Sequence, residues 1–208
     1  MHETATAPHI GVLAIQGDYE RHAAALEESG ARASLVKTPA ELCQDGQTGE
    51  SMDGLILPGG ESTTMLNFLN RGGLFDALKA FAEQKPVFGT CAGAILLAKE
   101  VRHPSQASLG VLDIAVERNA YGAQRDSAIL TLETSLPGGP LETVFIRAPR
   151  IVAVGPGVEV LAEREGFPVL VRKGKTMAAT FHPELSTDRR VHQLFVQLVE
   201  KERNSNKS

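Results

Sequence analysis

Four short apolar runs, each handed on to an amphipathic or Gly-rich segment, constrain this chain more than any other feature. Ile10-Gly11-Val12-Leu13-Ala14-Ile15 precedes Tyr19 to Ser29, which reads as a helix stopped by Gly30. Ala33-Ser34-Leu35-Val36 precedes Thr38-Pro39-Ala40-Glu41-Leu42, a cap with proline at the first helical position. Gly54-Leu55-Ile56-Leu57 precedes helical segments over Met65 to Asn70 and Leu74 to Gln84, and Pro86-Val87-Phe88 precedes a helix read over Ala92 to Glu100. Continuous apolar strands alternating with helices predict a parallel sheet covered on both faces.

Beyond Glu100 the character changes. Ile114 to Glu117, Ala128 to Leu132, Glu142 to Arg147, Ile151 to Val154, Val158 to Glu163 and Val169 to Lys173 are short strand candidates, mostly separated by Gly or Pro. They read as antiparallel hairpins added to the sheet. Thr176 to Thr180 is a further strand, Thr187 to Lys201 a closing amphipathic helix, and Glu200 to Ser208 a frayed polar tail. The expected fold is α/β: a flavodoxin-like three-layer open sheet, mostly parallel at its core with added antiparallel strands. With no clean linker, it is expected to form one domain over residues 1–208, with its core at about 10–199.

Composition narrows the function. Lys+Arg 21 against Asp+Glu 25 leaves a net charge of −4, which argues against a broad electrostatic footprint for nucleic acid or an anionic membrane. The apolar stretches fall well short of the ~20 residues of a membrane-spanning helix. Met1 to His9 lacks the basic start of a signal peptide. Two cysteines, Cys43 and Cys91, make no disulfide scaffold, and a reducing, cytoplasmic setting is expected.

Three segments carry chemistry. Gly89-Thr90-Cys91-Ala92-Gly93 joins a strand to a helix in the construction of a G-x-S-x-G nucleophile elbow, with cysteine as the nucleophile. The dipole at the helix start favours thiolate. Read blandly, the same segment is a small buried cysteine between glycines that allow tight packing. Phe181-His182-Pro183-Glu184 follows a strand, and residues two apart in extended chain share a side. His182 can thus be a base and Glu184 the group that orients it, or the pair is a His-Pro turn with a solvated Glu. Pro58-Gly59-Gly60-Glu61-Ser62-Thr63-Thr64 exposes backbone N–H groups that can hold phosphate or an oxyanion, while Ser62 or Thr63 can simply cap the next helix. All three lie at carboxyl ends of strands, where open α/β sheets bind ligands.

Together these motifs resemble the triad-type (class I) glutamine amidotransferases, and among them the glutaminase subunits of pyridoxal 5′-phosphate synthases. The resemblance runs from about Ile10 to Val199. It rests on Gly11 to Gly17, Leu57 to Thr64, Gly89 to Gly93, Arg118-Asn119-Ala120-Tyr121-Gly122, Phe145-Ile146-Arg147-Ala148-Pro149 and Phe181 to Leu185. It implies Cys91 as the nucleophile on the glutamine side-chain amide, His182 as the base and Glu184 as its orienter. It implies backbone N–H groups of Gly60 and Ala92 as the oxyanion hole. Gly60, Glu61, Ser62, Arg118, Ile146 and Arg147 match positions that bind glutamine in the family. An Arg suits the α-carboxylate of a free amino acid and an acidic side chain its α-ammonium. The family further implies that the chain is weak alone and docks on a (β/α)8 synthase subunit, which receives ammonia and builds pyridoxal phosphate.

The site chemistry needs no metal and no organic cofactor. His2, His9, His22, His103 and His192 show no ligand spacing; His22 reads as a helix-surface residue and Cys43 as structural. The loop Gln44 to Ser51 looks longer than the family usually has. Three other readings stay open: a glutaminase serving another synthase, a flavodoxin-like phosphate-binding module, and a peptidase or stress protein built on the cysteine elbow.

Overall fold

In the computed structural model, residues 6–43, 51–118 and 127–205 are described; the Cys43 side chain, most of the 44–51 loop and Asn119 to Gly122 lie outside the described residues. The chain runs β1 (His9–Leu13), α1 (Tyr19–Glu28), β2 (Arg32–Val36), α2 (Pro39–Cys43), β3 (Gly54–Leu57), α3 (Ser62–Leu69), α4 (Leu74–Gln84), β4 (Val87–Thr90) and α5 (Ala92–Leu97). It continues through β5 (Ala98–Arg102), β6 (Leu112–Glu117), β7 (Ser127–Leu132), β8 (Leu141–Ile146), β9 (Arg150–Val154), β10 (Glu159–Arg164), β11 (Phe167–Lys173) and β12 (Thr176–Ala179). A 3-10 turn at Pro183–Leu185 and α6 (Arg190–Ser205) complete it.

The apolar runs become a seven-stranded sheet in the order β10-β11-β12-β4-β3-β1-β2. Strands β2, β1, β3, β4 and β12 are mutually parallel, and β11 runs antiparallel to both β12 and β10. The parallel part has the flavodoxin-like order, 2-1-3-4 and then the last strand.

Alternate residues of each central strand serve opposite faces, as the pleat requires. Leu13, Leu55, Leu57 and Val87 join a cluster with Leu42, Met65, Leu78 and Ile95 from α2 to α5. Ile10, Val12, Ile56 and Phe88 join the opposite cluster, with Leu26 of α1, Phe195 of α6 and Phe145 of β8. Both faces are buried, so the strands read as unbroken apolar runs.

Three expectations from the sequence are corrected. The helix read over Ala92 to Glu100 ends at Leu97, and Ala98–Arg102 is β5, paired parallel with β6. Every residue of α5 is buried, so no polar face marks where the helix stops. Not all later strands extend the main sheet. Only β10 and β11 do so as antiparallel additions, while β5-β6-β9 and β7-β8 form separate sheets of three and two strands. The closing helix starts at Arg190 and runs to Ser205, through most of the expected frayed tail; Arg203 in its last turn ties it down, bonding Asp53 at 3.3 Å and Thr6 at 3.2 Å. No helix among the described residues is long and apolar enough to cross a membrane.

Candidate active site

The site is assembled at the carboxyl ends of β3, β4 and β12, three neighbouring strands. Cys91 follows the last residue of β4 with φ 48 and ψ −107, a left-handed conformation that a non-glycine residue enters only at a cost of about 1–3 kcal/mol. Its N–H donates to the carbonyl of Ala179 on β12 at 2.8 Å, which pins the elbow to the neighbouring strand. The flanking glycines are needed for space: a Cβ on Gly89 would come within 2.5 Å of the Gly93 backbone. The thiol is buried and free, and Sγ lies 4.0 Å from the carbonyl oxygen of Ile146, at the end of β8.

His182 leaves β12 three residues after Ala179 and is held by its own N–H, which donates to Val144 of β8 at 2.8 Å. Its Nδ1 is 2.7 Å from Glu184 Oε1, which leaves Nε2 for Cys91. Burial opposes a charge on this imidazole, but hydrogen bonds to Cys91 and Glu184, and attraction to both, raise its pKa to about 10. Burial likewise opposes charge on Glu184. Attraction to His22 and hydrogen bonds from His182 and His22 outweigh it, so the carboxyl titrates well below the usual range. Cys91, His182 and Glu184 therefore stand in line, an arrangement that suits acyl transfer through a thioester.

A pocket of about 310 Å³ opens over Cys91 and His182. It is amino-acid-sized, at the small end for ligand pockets. Each sequence-derived candidate except Glu184, which is buried behind His182, reaches it. Gly60, Glu61, Ser62, Ala92, Arg118, Ile146 and Arg147 all line it. Gly60 has φ 144, and a Cβ there would come within 2.9 Å of Gln16 Oε1. Gly59 faces His182 so closely that a Cβ would lie 2.5 Å from Cε1. The Ala92 N–H is in the first turn of α5, where helix geometry leaves it without an intrahelical partner.

Neither expected hydroxyl caps α3. Glu61 does, accepting from Thr63 N at 3.0 Å and Thr64 N at 2.7 Å. Burial would raise its pKa, but these bonds lower it to about 2. Ser62 instead donates to Gln106 Oε1 at 3.0 Å. Arg118, at the end of β6, donates to Thr63 Oγ1 at 2.7 Å and approaches Glu61 Oε1 at 3.4 Å. Arg147 is exposed at the rim with φ 46, a second strained non-glycine residue beside the thiol. The ends of main-sheet strands thus supply Cys91 and His182, and the two smaller sheets supply Arg118, Ile146 and Arg147.

This geometry agrees with what the chain is similar to. A family model, described as the SNO glutamine amidotransferase family, matches residues 12–201. The chain belongs to the SNO glutamine amidotransferase family. Among relatives of this amidotransferase, "Pyridoxal 5′-phosphate synthase subunit PdxT" of Koribacter versatilis is 57% identical over 190 residues, covering 91% of this chain and 95% of that protein. The protein of the same name from Solibacter usitatus is 51% identical, covering 90% and 97%. A crystal structure of a glutamine amidotransferase superposes with a TM-score of 0.82 at 45% identity, covering 92% of this chain and 98% of that one.

Sequence reasoning missed two residues buried behind Glu184 in this amidotransferase. His22, read as a surface residue, is fully buried against Glu184, with Nε2 3.2 Å from Oε2. Behind it His192 is fully buried as well, its Nε2 3.0 Å from His22 Nδ1. The helical period held the signal. His22 shares the buried stripe of α1 with Ala25 and Leu26, and His192 that of α6 with Phe195, Val196 and Val199. Among the described residues no group of three or more His, Cys, Asp or Glu is arranged to hold a metal ion.

Proposed function

We propose that this chain is the glutaminase subunit of a pyridoxal 5′-phosphate synthase, acting in vitamin B6 biosynthesis. It hydrolyses L-glutamine to L-glutamate and ammonia through a thioester on Cys91 and passes the ammonia to a (β/α)8 synthase subunit. The observation that carries this reading is the line Cys91–His182–Glu184 under a small pocket rimmed by Glu61, Arg118 and Arg147.

In the proposed reaction the Cys91 thiolate attacks the side-chain amide carbon of glutamine. The carbonyl electrons move to oxygen, and the backbone N–H groups of Gly60 and Ala92 stabilise that oxyanion. The His182 imidazolium gives its proton to the amide nitrogen, the C–N bond breaks, and ammonia leaves with the γ-glutamyl group on sulfur. Neutral His182 then takes a proton from water as the water attacks the thioester, glutamate departs, and the thiolate returns. Glu61 and Arg118, together with Ser62, Ile146 and Arg147, hold the amino-acid end. The whole of residues 1–208 serves as one amidotransferase domain, working in the cytoplasm, where a nucleophilic thiol stays reduced.

The test is glutamate release from glutamine by the chain alone and mixed with a pyridoxal phosphate synthase barrel subunit. Release should rise strongly with the barrel and vanish in Cys91→Ala. Turnover retained in Cys91→Ala would overturn the mechanism, and equal release with and without the barrel would overturn the partner.

A further inference from the structure

The polar contacts behind His182 do not stop at Glu184. His22 comes from α1 and His192 from α6, two helices that pack together on one face of the main sheet. Both imidazoles sit in an aromatic part of the core: His192 meets the Phe88 ring edge-on at 6.4 Å, and Phe88 in turn contacts Phe195 at 5.6 Å. Packing alone would be served better by apolar side chains there, because each buried ring nitrogen must find a partner. The arrangement of the two rings is directional.

A carboxylate turns about its last bond, and two oxygens must be fixed to stop it. Oε1 of Glu184 is held by His182. Oε2 faces His22 Nε2 in a bent contact, with Thr90 Oγ1 at the same 3.2 Å from that nitrogen. An ionised carboxylate can only accept, so the hydrogen in this contact belongs to His22 Nε2. Thr90 directly precedes Cys91, so His22 also ties Glu184 to the strand that carries the nucleophile. The rings of His22 and His192 lie 5.3 Å apart at 53°, joined Nδ1 to Nε2, which sets the plane of the His22 ring. Burial first, and then the neighbouring His22, push the His192 pKa down to about 3, so near neutrality it orients without adding charge.

We propose that His22, braced by His192, is a positioning residue: it fixes the rotation of the Glu184 carboxylate so that Oε1 stays on His182. This rests on the proposed triad. It differs from a packing role in requiring a donor at one place, that of Nε2.

Two substitutions of similar polarity separate the roles. In His22→Gln the amide nitrogen can stand near the place of Nε2; in His22→Asn it stands near that of Nδ1, too short to reach Glu184. Two rates are measured for each variant: glutamate release in the complex with the synthase subunit, and alkylation of Cys91 by iodoacetamide at pH 7 on the chain alone, followed by peptide mapping to exclude Cys43. His22→Asn should lose about tenfold to a hundredfold in kcat and in alkylation rate, with KM for glutamine unchanged, the scale of one hydrogen bond to a charged group. His22→Gln should keep its rates within about threefold, because the donor is restored. Equal rates for the two variants, a His22→Asn as fast as the unaltered chain, or losses that merely track the folded fraction would each overturn the proposal. If the unaltered complex releases no glutamate, the glutaminase reading fails instead, and the ratio of alkylation rates still decides the positioning role.

Discussion

Gly93 in the first turn of α5 lies against the carbonyl oxygen of Leu57 at the end of β3, so close that a Cβ on Gly93 would overlap that oxygen. The helix that begins at the elbow is thereby seated directly on the strand next door. The second glycine of the G-x-C-x-G segment is a packing requirement as much as a turn residue.

Gly93→Ala should therefore cost about 3 kcal/mol or more, since the clash is with backbone and neither partner can rotate away. Gly30 gives the contrast. It has φ 90, but nothing lies within 4 Å of where its Cβ would be, so Gly30→Ala should cost only about 1 kcal/mol of backbone strain. Urea unfolding of the two variants checks the difference.

Arg118 joins the pocket rim to the cap of α3 through Thr63 and Glu61. Arg118→Ala should raise KM for glutamine about tenfold to a hundredfold, as expected for a lost charge-assisted contact, with kcat changed only a few-fold. Steady-state glutaminase kinetics in the presence of the synthase subunit decide it. A loss confined to kcat would show that Arg118 does not bind the substrate.

Glu184→Gln should lower kcat by about a thousandfold or more while the fold persists, the behaviour of a triad whose orienting carboxylate is neutralised. It should also bring the His182 titration down from about 10, because a neutral amide no longer stabilises the imidazolium. Imidazole resonances followed by NMR against pH report that midpoint independently of turnover.

His192 makes stability depend on pH in a definite direction. Its folded pKa of about 3 lies below the ordinary 6.5, so the unfolded chain takes up the proton first as pH falls. Its neutral burial is fully tolerated above pH 6.5 and opposes folding progressively from there down to about 3, with a slope of up to ~1.4 kcal/mol per pH unit. His192→Phe should flatten that acid limb, even if the variant is less stable near neutrality. Denaturation midpoints across pH 4 to 7 measure it.

The parts legible in the sequence were those written in contiguous residues. The strand before each Gly-rich turn is an apolar run, so β1, β3 and β4 and the motifs at their ends could be placed without knowing the fold. The carboxyl-end rule brought Cys91, His182 and Gly60 to one place. What was not legible depends on contacts across the chain. The end of α5 is invisible because Ala92 to Leu97 is buried all round. The small sheet β5-β6-β9 has no signal separating it from the main sheet. His22 and His192 are 170 positions apart, and only the packing of α1 on α6 makes them partners. Glu61 caps α3 in place of Ser62 because its longer side chain folds back onto Thr63 and Thr64, a choice that residue type alone leaves open.

Cys91, His182 and the Gly-Gly turn hang from β4, β12 and β3, whose registers pair Thr90 with Ala179 and Leu57 with Gly89. Their separations are set by backbone ladders before any side chain is considered. A slip of one residue in any of the three strands would turn its functional group to the opposite face of the sheet. Turnover is thus a chemical readout of strand alignment: a chain that has collapsed around the right core with one strand out of step would look folded to spectroscopy and be silent toward glutamine.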